Sequence, residues 1–125
     1  MERKYRIRLD ADFQRARREG KSWTDHLVVL RALPNDLAYS RFGFAASKRI
    51  GKAVDRNRVR RRMREVVRLR RASIIGGWDI IFVARPPIAH ATYAEIAHAI
   101  GDLLVRANLC ESLNGGNGPS RASEG

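Results

Sequence analysis

One segment, residues 55–71, combines the densest positive charge of the sequence with an apolar stripe at helical spacing. At about 100° per residue, four apolar side chains fall within roughly a third of a helix circumference: Val59, Met63, Val66 and Val67. A polar row at spacings i, i+4, i+7 and i+11 runs along the opposite side: Asn57, Arg61, Arg64 and Arg68. The pattern predicts a helix that packs on one side and presents guanidinium groups on the other.

The partner of such a helix is expected to be a polyanion. Lys and Arg total 25 against 13 acidic residues, which gives a net charge of +12, and so basic a chain must meet nucleic acid or an anionic membrane. No stretch approaches the ~20 apolar residues of a membrane-spanning helix, and the charged N-terminus does not resemble a secretory signal. The single cysteine, Cys110, suits a reducing cytosol. We therefore expect a cytoplasmic protein that binds nucleic acid, with no membrane partner.

The remaining patterns predict short elements around one small sheet. Asp10 is expected to cap a helix that runs to Glu19, and Asp55 to cap the arginine-rich helix. Apolar residues 27–30 and alternating residues 41–47 predict two strands, read as an antiparallel hairpin. Residues 79–84 are apolar on both faces, which is typical of a strand covered on both sides. Thr92 and Glu95 form a capping-box pattern that opens a last helix.

This order predicts an α+β fold, an α/β sandwich, in a single domain over residues 1–110. From residue 111 onward the sequence is mainly Gly, Ser, Asn and Pro with almost nothing to bury. The tail, residues 111–125, is therefore expected to be disordered.

The segment from Ala53 to Arg61, with its Arg56-Asn57-Arg58 triplet, resembles the signature of the bacterial ribonuclease P protein family. The preceding residues 47–51 also match that family, residues 12–14 are similar to its first helix, and residues 77–86 are similar to its last strand. The resemblance covers roughly residues 5–110. The triplet alone would be weak, but the triplet with both flanks in order is specific.

The resemblance implies a four-stranded sheet with three helices in the order α-β-β-β-α-β-α. It also implies a left-handed βαβ crossover, against the general right-handed rule. Family members bind a catalytic RNA, which removes the 5′ leader of precursor tRNA by Mg²⁺-dependent hydrolysis of a phosphodiester and leaves a 5′-phosphate. The expected partners are therefore the ribonuclease P catalytic RNA and precursor tRNA, not DNA, with Mg²⁺ bound mainly by the RNA subunit and the substrate.

Two sets of site residues follow from carrying the family's surfaces onto this sequence. The expected RNA-binding residues are Lys48, Arg49, Lys52, Arg56, Asn57, Arg58, Arg60, Arg61, Arg64 and Arg68. The expected cleft for the single-stranded leader contains Phe13, Arg17, Arg31, Phe44 and Ser47. Arg17 and Arg31 stand where family members often carry aromatic residues, which favours phosphate pairing or guanidinium stacking over base stacking alone.

No catalytic or metal-binding set is expected in the protein itself. A protein nuclease needs paired carboxylates or a positioned histidine, and here the acidic residues are scattered and share no spacing with His26, His90 and His98. Two other functions stay open on the residues alone. One is a basic ribosomal or other RNA-binding protein with no processing role. The other is a DNA-binding helix-turn-helix protein, although its recognition helix would normally carry fewer charges.

Overall fold

The structure, a computed structural model, describes residues 1–110, so the expected disordered tail lies outside the described residues. Its three helices are α1 (Asp10–Glu19), α2 (Ala53–Arg70) and α3 (Tyr93–Arg106). Its four strands are β1 (Lys21–Thr24), β2 (Val28–Pro34), β3 (Arg41–Ala45) and β4 (Trp78–Ala84). The α+β class and the order α-β-β-β-α-β-α are confirmed.

The four strands form one mixed sheet in the order β1-β2-β4-β3. β2 is antiparallel to β1 and to β4, whereas β3 runs parallel to β4. The predicted hairpin of β2 with β3 is therefore wrong, because β4 lies between them. β4 takes that central place because both of its faces are apolar, and Ile80, Ile81 and Phe82 are fully buried. The chain passes from β3 through α2 to β4, and the left hand of this crossover stays a prediction.

Helices cover both faces of the sheet. The predicted apolar arc of α2 is confirmed: Val59, Met63, Val66 and Val67 are buried in the core with Ile96, Ile100, Leu103 and Leu104 of α3. The facing strand residues include Leu30, Ile80 and Phe82. α1 packs on the other face, where its Phe13 ring lies against Gly43. None of the helices within residues 1–110 is long and apolar enough to cross a membrane.

The start of α3 follows the sequence, Asp10 does not cap α1, and Asp55 caps α2 from the first turn rather than from the cap position. The capping box of α3 is confirmed, since the Glu95 N–H donates to Thr92 Oγ1 at 3.1 Å and the Thr92 N–H donates to Glu95 Oε1 at 2.8 Å. Asp10 is the first helical residue of α1, behind Leu9 at the cap position, and not the cap itself. Asp55 stands in the first turn of α2, where Oδ2 accepts the Lys52 N–H at 3.1 Å.

Candidate nucleic-acid interface

A basic turn leads into α2 and holds three of the expected RNA-binding residues. Lys48 and Arg49 lie in a short 3-10 turn, Lys48–Ile50, and Lys52 occupies the cap position of α2. Ser47 shapes the turn by accepting the Arg49 N–H on Oγ at 3.3 Å, and Ile50 anchors it in the core. All three cations are exposed. They stand at the positive end of the α2 dipole, which strengthens the attraction for an anion.

Two arginines of the signature triplet are tied to the chain around them. Arg56 donates from Nη1 to the Gly51 carbonyl at 2.9 Å, and Arg58 donates from Nη2 to Asp55 Oδ1 at 3.1 Å. Gly51 has a φ of +150°, and a Cβ there would lie 2.8 Å from the Asp55 carboxylate. The signature therefore also shapes the entry to α2, a role that its charge alone did not indicate.

The outward side of α2 carries Asn57, Arg61 and Arg68, all exposed. Asn57 accepts a short hydrogen bond on Oδ1 from Arg60. The Arg68 guanidinium makes two hydrogen bonds to Glu65, at 3.0 and 2.7 Å. These bonds hold the pKa of Glu65 below its usual value and raise that of Arg68. Glu65 thus occupies the paired donors of Arg68, the kind of donors through which a guanidinium binds phosphate.

Arg64 departs from the predicted row, because it stands at the side of α2 that faces the edge of β3. Its guanidinium carbon lies 5.7 Å from the centre of the Phe44 ring. Its Nε is buried and has no hydrogen-bond partner within residues 1–110. Burial lowers the pKa of Arg64, and the nearby charges of Arg6 and Arg60 lower it further. An anion bound at the outer nitrogens of Arg64 would relieve the repulsion among these three cations.

A groove of about 320 Å³ opens beside Arg64, and we call it the edge groove. Its lining residues are Arg6, Ile7, Arg8, Phe13, Phe42, Gly43, Phe44 and Arg64. The N-terminal segment runs parallel to β3 here, and the Ile7 N–H donates to the Phe42 carbonyl at 2.9 Å. None of these lining residues is acidic. The groove therefore combines three guanidinium groups with aromatic surface, a composition typical of sites for single-stranded nucleic acid.

The residues expected in the leader cleft separate into two groups. Phe13 lies half-buried over Gly43, so closely that a Cβ on Gly43 would be 2.9 Å from the ring. Arg31 extends from β2 toward α1 and donates from Nη1 to the Arg17 carbonyl at 2.8 Å. These three residues share the α1 side of the sheet.

Phe44 and Ser47 lie elsewhere. Phe44 points to the opposite face, where it stacks on Phe82 with ring centres 5.5 Å apart. It meets Phe13 only around the edge groove. Ser47 belongs to the basic turn before α2. Phe42, the neighbour on the same face as Phe44, is a core residue with 2% of its surface exposed.

Sequence reasoning missed several charged residues that shape this surface. Arg6 and Arg8 belong to an N-terminal stretch with no clear element pattern, and only its pairing with β3 brings them to the edge groove. Arg41 fits the alternating pattern of its strand and therefore does not stand out in the sequence. Its guanidinium nevertheless binds buried Asp79 at 2.9 and 2.7 Å and lies 3.5 Å from Asp12 of α1. The only sequence signal for such an ion pair is one charged residue in each of two strands. No local pattern shows that the two strands are neighbours.

The three histidines line one groove, although their spacing in the sequence did not indicate it. His26, His90 and His98 line a groove of about 500 Å³ together with Asp25 and Glu95. Asp25 accepts the Leu27 N–H and Glu95 accepts the Thr92 N–H, so both carboxylates have structural partners. In the part of the chain that the structure describes, no group of three or more His, Cys, Asp or Glu residues is placed to hold a metal ion.

Three comparisons with known proteins point to one family over most of the chain. The model of the family described as Ribonuclease P matches residues 1–108. The ribonuclease P protein component of Roseiflexus sp. (strain RS-1) is 42% identical over 117 residues, which cover 93% of this chain and 96% of that protein. The RNase P protein of Staphylococcus aureus superposes with a TM-score of 0.79 at 32% identity, covering 86% of this chain and 98% of that one. For the RNase P protein of Thermotoga maritima, the TM-score is 0.73 at 30% identity, with 79% and 94% covered.

Proposed function

Because this chain belongs to the ribonuclease P protein family, we propose that it is the protein subunit of ribonuclease P. In this role it binds the catalytic RNA and the 5′ leader of precursor tRNA, and it aids endonucleolytic removal of the leader to give the mature 5′ end. The location is the cytoplasm, where precursor tRNA is processed in bacteria.

One observation carries the proposal: Arg64 is held in the edge groove with its Nε buried and unpartnered, beside Arg6 and Arg60. Cations placed this close repel one another, and no acid lines the groove. Phosphate groups neutralise such a cluster and accept the in-plane donors of each guanidinium. Each phosphate bound also releases counterions, which is the main source of affinity for RNA. The geometry therefore favours RNA over a protein partner.

The protein has two RNA-binding surfaces, one for each RNA partner. The outward side of α2 and the basic turn before it meet the catalytic RNA, through residues such as Lys48, Arg49 and Arg61. The α1 side of the sheet takes the unpaired leader, with the Phe13 ring offering a stacking surface and Arg31 a phosphate contact. The edge groove joins the two surfaces, because it is lined from one side by Phe13 and from the other by Arg64.

Catalysis in this proposal belongs to the RNA subunit, with Mg²⁺ supplied mainly by RNA and substrate. The protein's residues contribute positioning, through charge neutralisation and through contacts to the leader. Several of its acids already hold structure: Asp79 pairs with Arg41, Asp55 accepts the Lys52 N–H, and Glu95 closes a capping box. Within residues 1–110 no group of three or more His, Cys, Asp or Glu residues is placed to hold a metal ion.

A reconstitution assay tests the proposal. The purified chain should restore cleavage of precursor tRNA by the ribonuclease P RNA at low Mg²⁺, yielding a 5′-phosphate on the tRNA. The chain freed of RNA should cleave nothing in the same buffer, and duplex DNA should compete poorly. A chain that binds RNA but does not restore cleavage would instead be a basic RNA-binding protein without a processing role. Cleavage by rigorously RNA-free protein would refute catalysis by the RNA subunit.

A further inference from the structure

A second aromatic and basic cluster lies at the far end of α2, away from the signature triplet. Tyr5 and Tyr39 meet edge to face, with ring centres 5.8 Å apart and planes at 89°. The Arg71 guanidinium carbon lies 3.9 Å from the centre of the Tyr5 ring. Lys4 Nζ lies 5.0 Å from the centre of each ring. We call these four residues the tyrosine cluster.

Three separate parts of the chain build the cluster. Tyr5 ends the short turn Arg3–Tyr5, Tyr39 lies in the loop between β2 and β3, and Arg71 directly follows α2. Tyr5, Tyr39 and Arg71 line a cavity of about 210 Å³ together with Phe42 and Ile74. This is smaller than the roughly 300–1,000 Å³ pockets that take drug-sized ligands. Its size therefore suits a single base rather than a larger molecule.

The charges of the cluster are uncompensated. Within residues 1–110 no carboxylate lies within ion-pair distance of Lys4 or Arg71, although seven other ion pairs form there. The guanidinium carbon of Arg71 lies over the Tyr5 ring. When a guanidinium stacks in this way, its flat face contacts the ring and its in-plane N–H donors remain available to another group. A contact that only fastened the N-terminus to α2 would need one cation, not two that repel each other.

We propose that the tyrosine cluster binds one unpaired nucleotide of an RNA strand. The base stacks on the Tyr39 ring, and the adjoining phosphate lies between Lys4 and the free edge of Arg71. Tyrosine rings accept any base by stacking, and arginine holds the phosphate through paired hydrogen bonds. This inference rests on the proposed RNA-binding function and extends it. At 1.5 Å per residue, the cluster lies about 21 Å along α2 from Asn57, so the RNA footprint spans the whole helix.

Photochemical crosslinking locates the site directly. The full chain is irradiated with a short unstructured oligoribonucleotide that contains 5-iodouridine, and the crosslinked peptides are identified by mass spectrometry. Crosslinks are expected at Tyr39 or Tyr5 and should disappear from this cluster in Tyr39→Leu. Crosslinks that appear at neither tyrosine would overturn the proposal.

Binding measurements with the same oligoribonucleotide supply the second test. Arg71→Gln and Tyr39→Leu should each weaken binding at least about fivefold, the lower end expected for losing one stacked base. Arg71→Lys keeps the charge but not the planar fork, and it should bind between wild type and Arg71→Gln. Arg18→Gln removes an exposed arginine of α1 and is the matched control, expected to change binding by less than about twofold. Circular dichroism melting identifies any variant that is unfolded, and Arg71→Gln decides the matter if Tyr39→Leu unfolds.

The outcomes separate this inference from the proposed function. If the wild-type chain restores cleavage by the catalytic RNA while folded Arg71→Gln binds the oligoribonucleotide as wild type does, the cluster is structural and only this inference fails. If binding depends on the cluster but no cleavage is restored, the nucleotide site stands and the processing role fails.

Discussion

Arg41 and Asp79 face each other across the parallel pair of β3 and β4, joined by hydrogen bonds of 2.9 and 2.7 Å. Asp79 is only 1% exposed, and its other interaction is a hydrogen bond of 2.9 Å from Asn35. The hydrogen bonds to the Asp79 carboxylate raise the pKa of Arg41. Asp12 of α1 lies 3.5 Å from the same guanidinium. This pair therefore ties together β3, β4 and the helix that carries Phe13.

Removing the cation of this pair should destabilise the fold. Arg41→Ala leaves a buried carboxylate without its ion-pair partner, and we expect a loss of about 3 kcal/mol in the free energy of unfolding. Urea denaturation measures it. Arg15→Ala is the matched control, because its ion pair with Asp12 is long, at 3.8 Å, and exposed, so a loss below about 0.5 kcal/mol is expected. Equal losses in the two variants would show that the buried ion pair contributes no more to stability than an exposed one.

Replacing three arginines of α2 should reduce RNA affinity without unfolding the chain. Gln is a good helix former, so the triple variant of Arg61, Arg64 and Arg68 to Gln keeps the buried side of α2 intact. Each lost phosphate contact should flatten the logarithmic salt dependence of binding by about 0.7–0.9. Cleavage at low Mg²⁺ should fall, and high Mg²⁺ should partly restore it. If the triple variant is folded and binds RNA with wild-type affinity and salt dependence, this surface is only solvated and does not bind RNA.

The single replacements should not be equal. Arg64 is expected to matter most, because it lies beside Arg6 and Arg60 in a groove that no acidic residue lines. Arg68 is expected to matter least, because Glu65 already holds its donors. The ranking is measured with the three single Gln variants at one salt concentration.

Neutralising Glu65 should strengthen RNA binding. Glu65→Gln frees the Arg68 fork for phosphate and removes a negative charge from the surface, so a several-fold higher affinity and a steeper salt dependence are expected. Asp102→Gln is a suitable control, since Asp102 lies on α3 in a comparable exposed ion pair with Arg106. Unchanged affinity in Glu65→Gln, or an equal gain in both variants, would contradict the proposed contact at Arg68.

The ion pair of Glu65 with Arg68 should make the stability of the protein depend on pH. Because Arg68 lowers the folded-state pKa of Glu65, the pair contributes stability above the usual pKa of glutamate, about 4.3, and loses it as the pH falls through the lowered value. The stability difference between wild type and Glu65→Gln should therefore be constant near neutral pH and decrease in acid. Chemical denaturation at a series of pH values measures it, and a difference that grows in acid would have the wrong sign.

Shortening Phe13 should affect the leader more than the tRNA body. Phe13→Ala is expected to weaken holoenzyme binding of precursor tRNA more than binding of mature tRNA, by up to about 1–3 kcal/mol for one lost stack. Phe13→Leu separates packing from stacking, because leucine still fills the space over Gly43 but offers no aromatic face. If Phe13→Leu binds precursor tRNA as wild type does, the ring serves packing on Gly43 alone.

Much of the local structure could be predicted from the sequence. The buried arc of α2, the capping box of α3 and the doubly buried β4 depend on residues a few positions apart, so periodicity and side-chain chemistry determine them. The signature triplet, with its flanks, likewise identified the family and the basic helix. These features are properties of the chain before it folds.

The strand order and the final surfaces depended on tertiary structure. β2 and β3 are neighbours in sequence, yet β4 separates them, because its two apolar faces need cover on both sides and the Arg41–Asp79 pair holds it beside β3. That placement leaves the edge of β3 to the N-terminal segment, which brings Arg6 to Arg64 and Tyr5 to Arg71. The helical periodicity of the sequence predicted which side of α2 is buried and which side faces outward. Only long-range packing decided that Arg64 would turn toward Phe44 while Arg61 stays in solvent, because contacts between distant segments leave no periodic trace in the sequence.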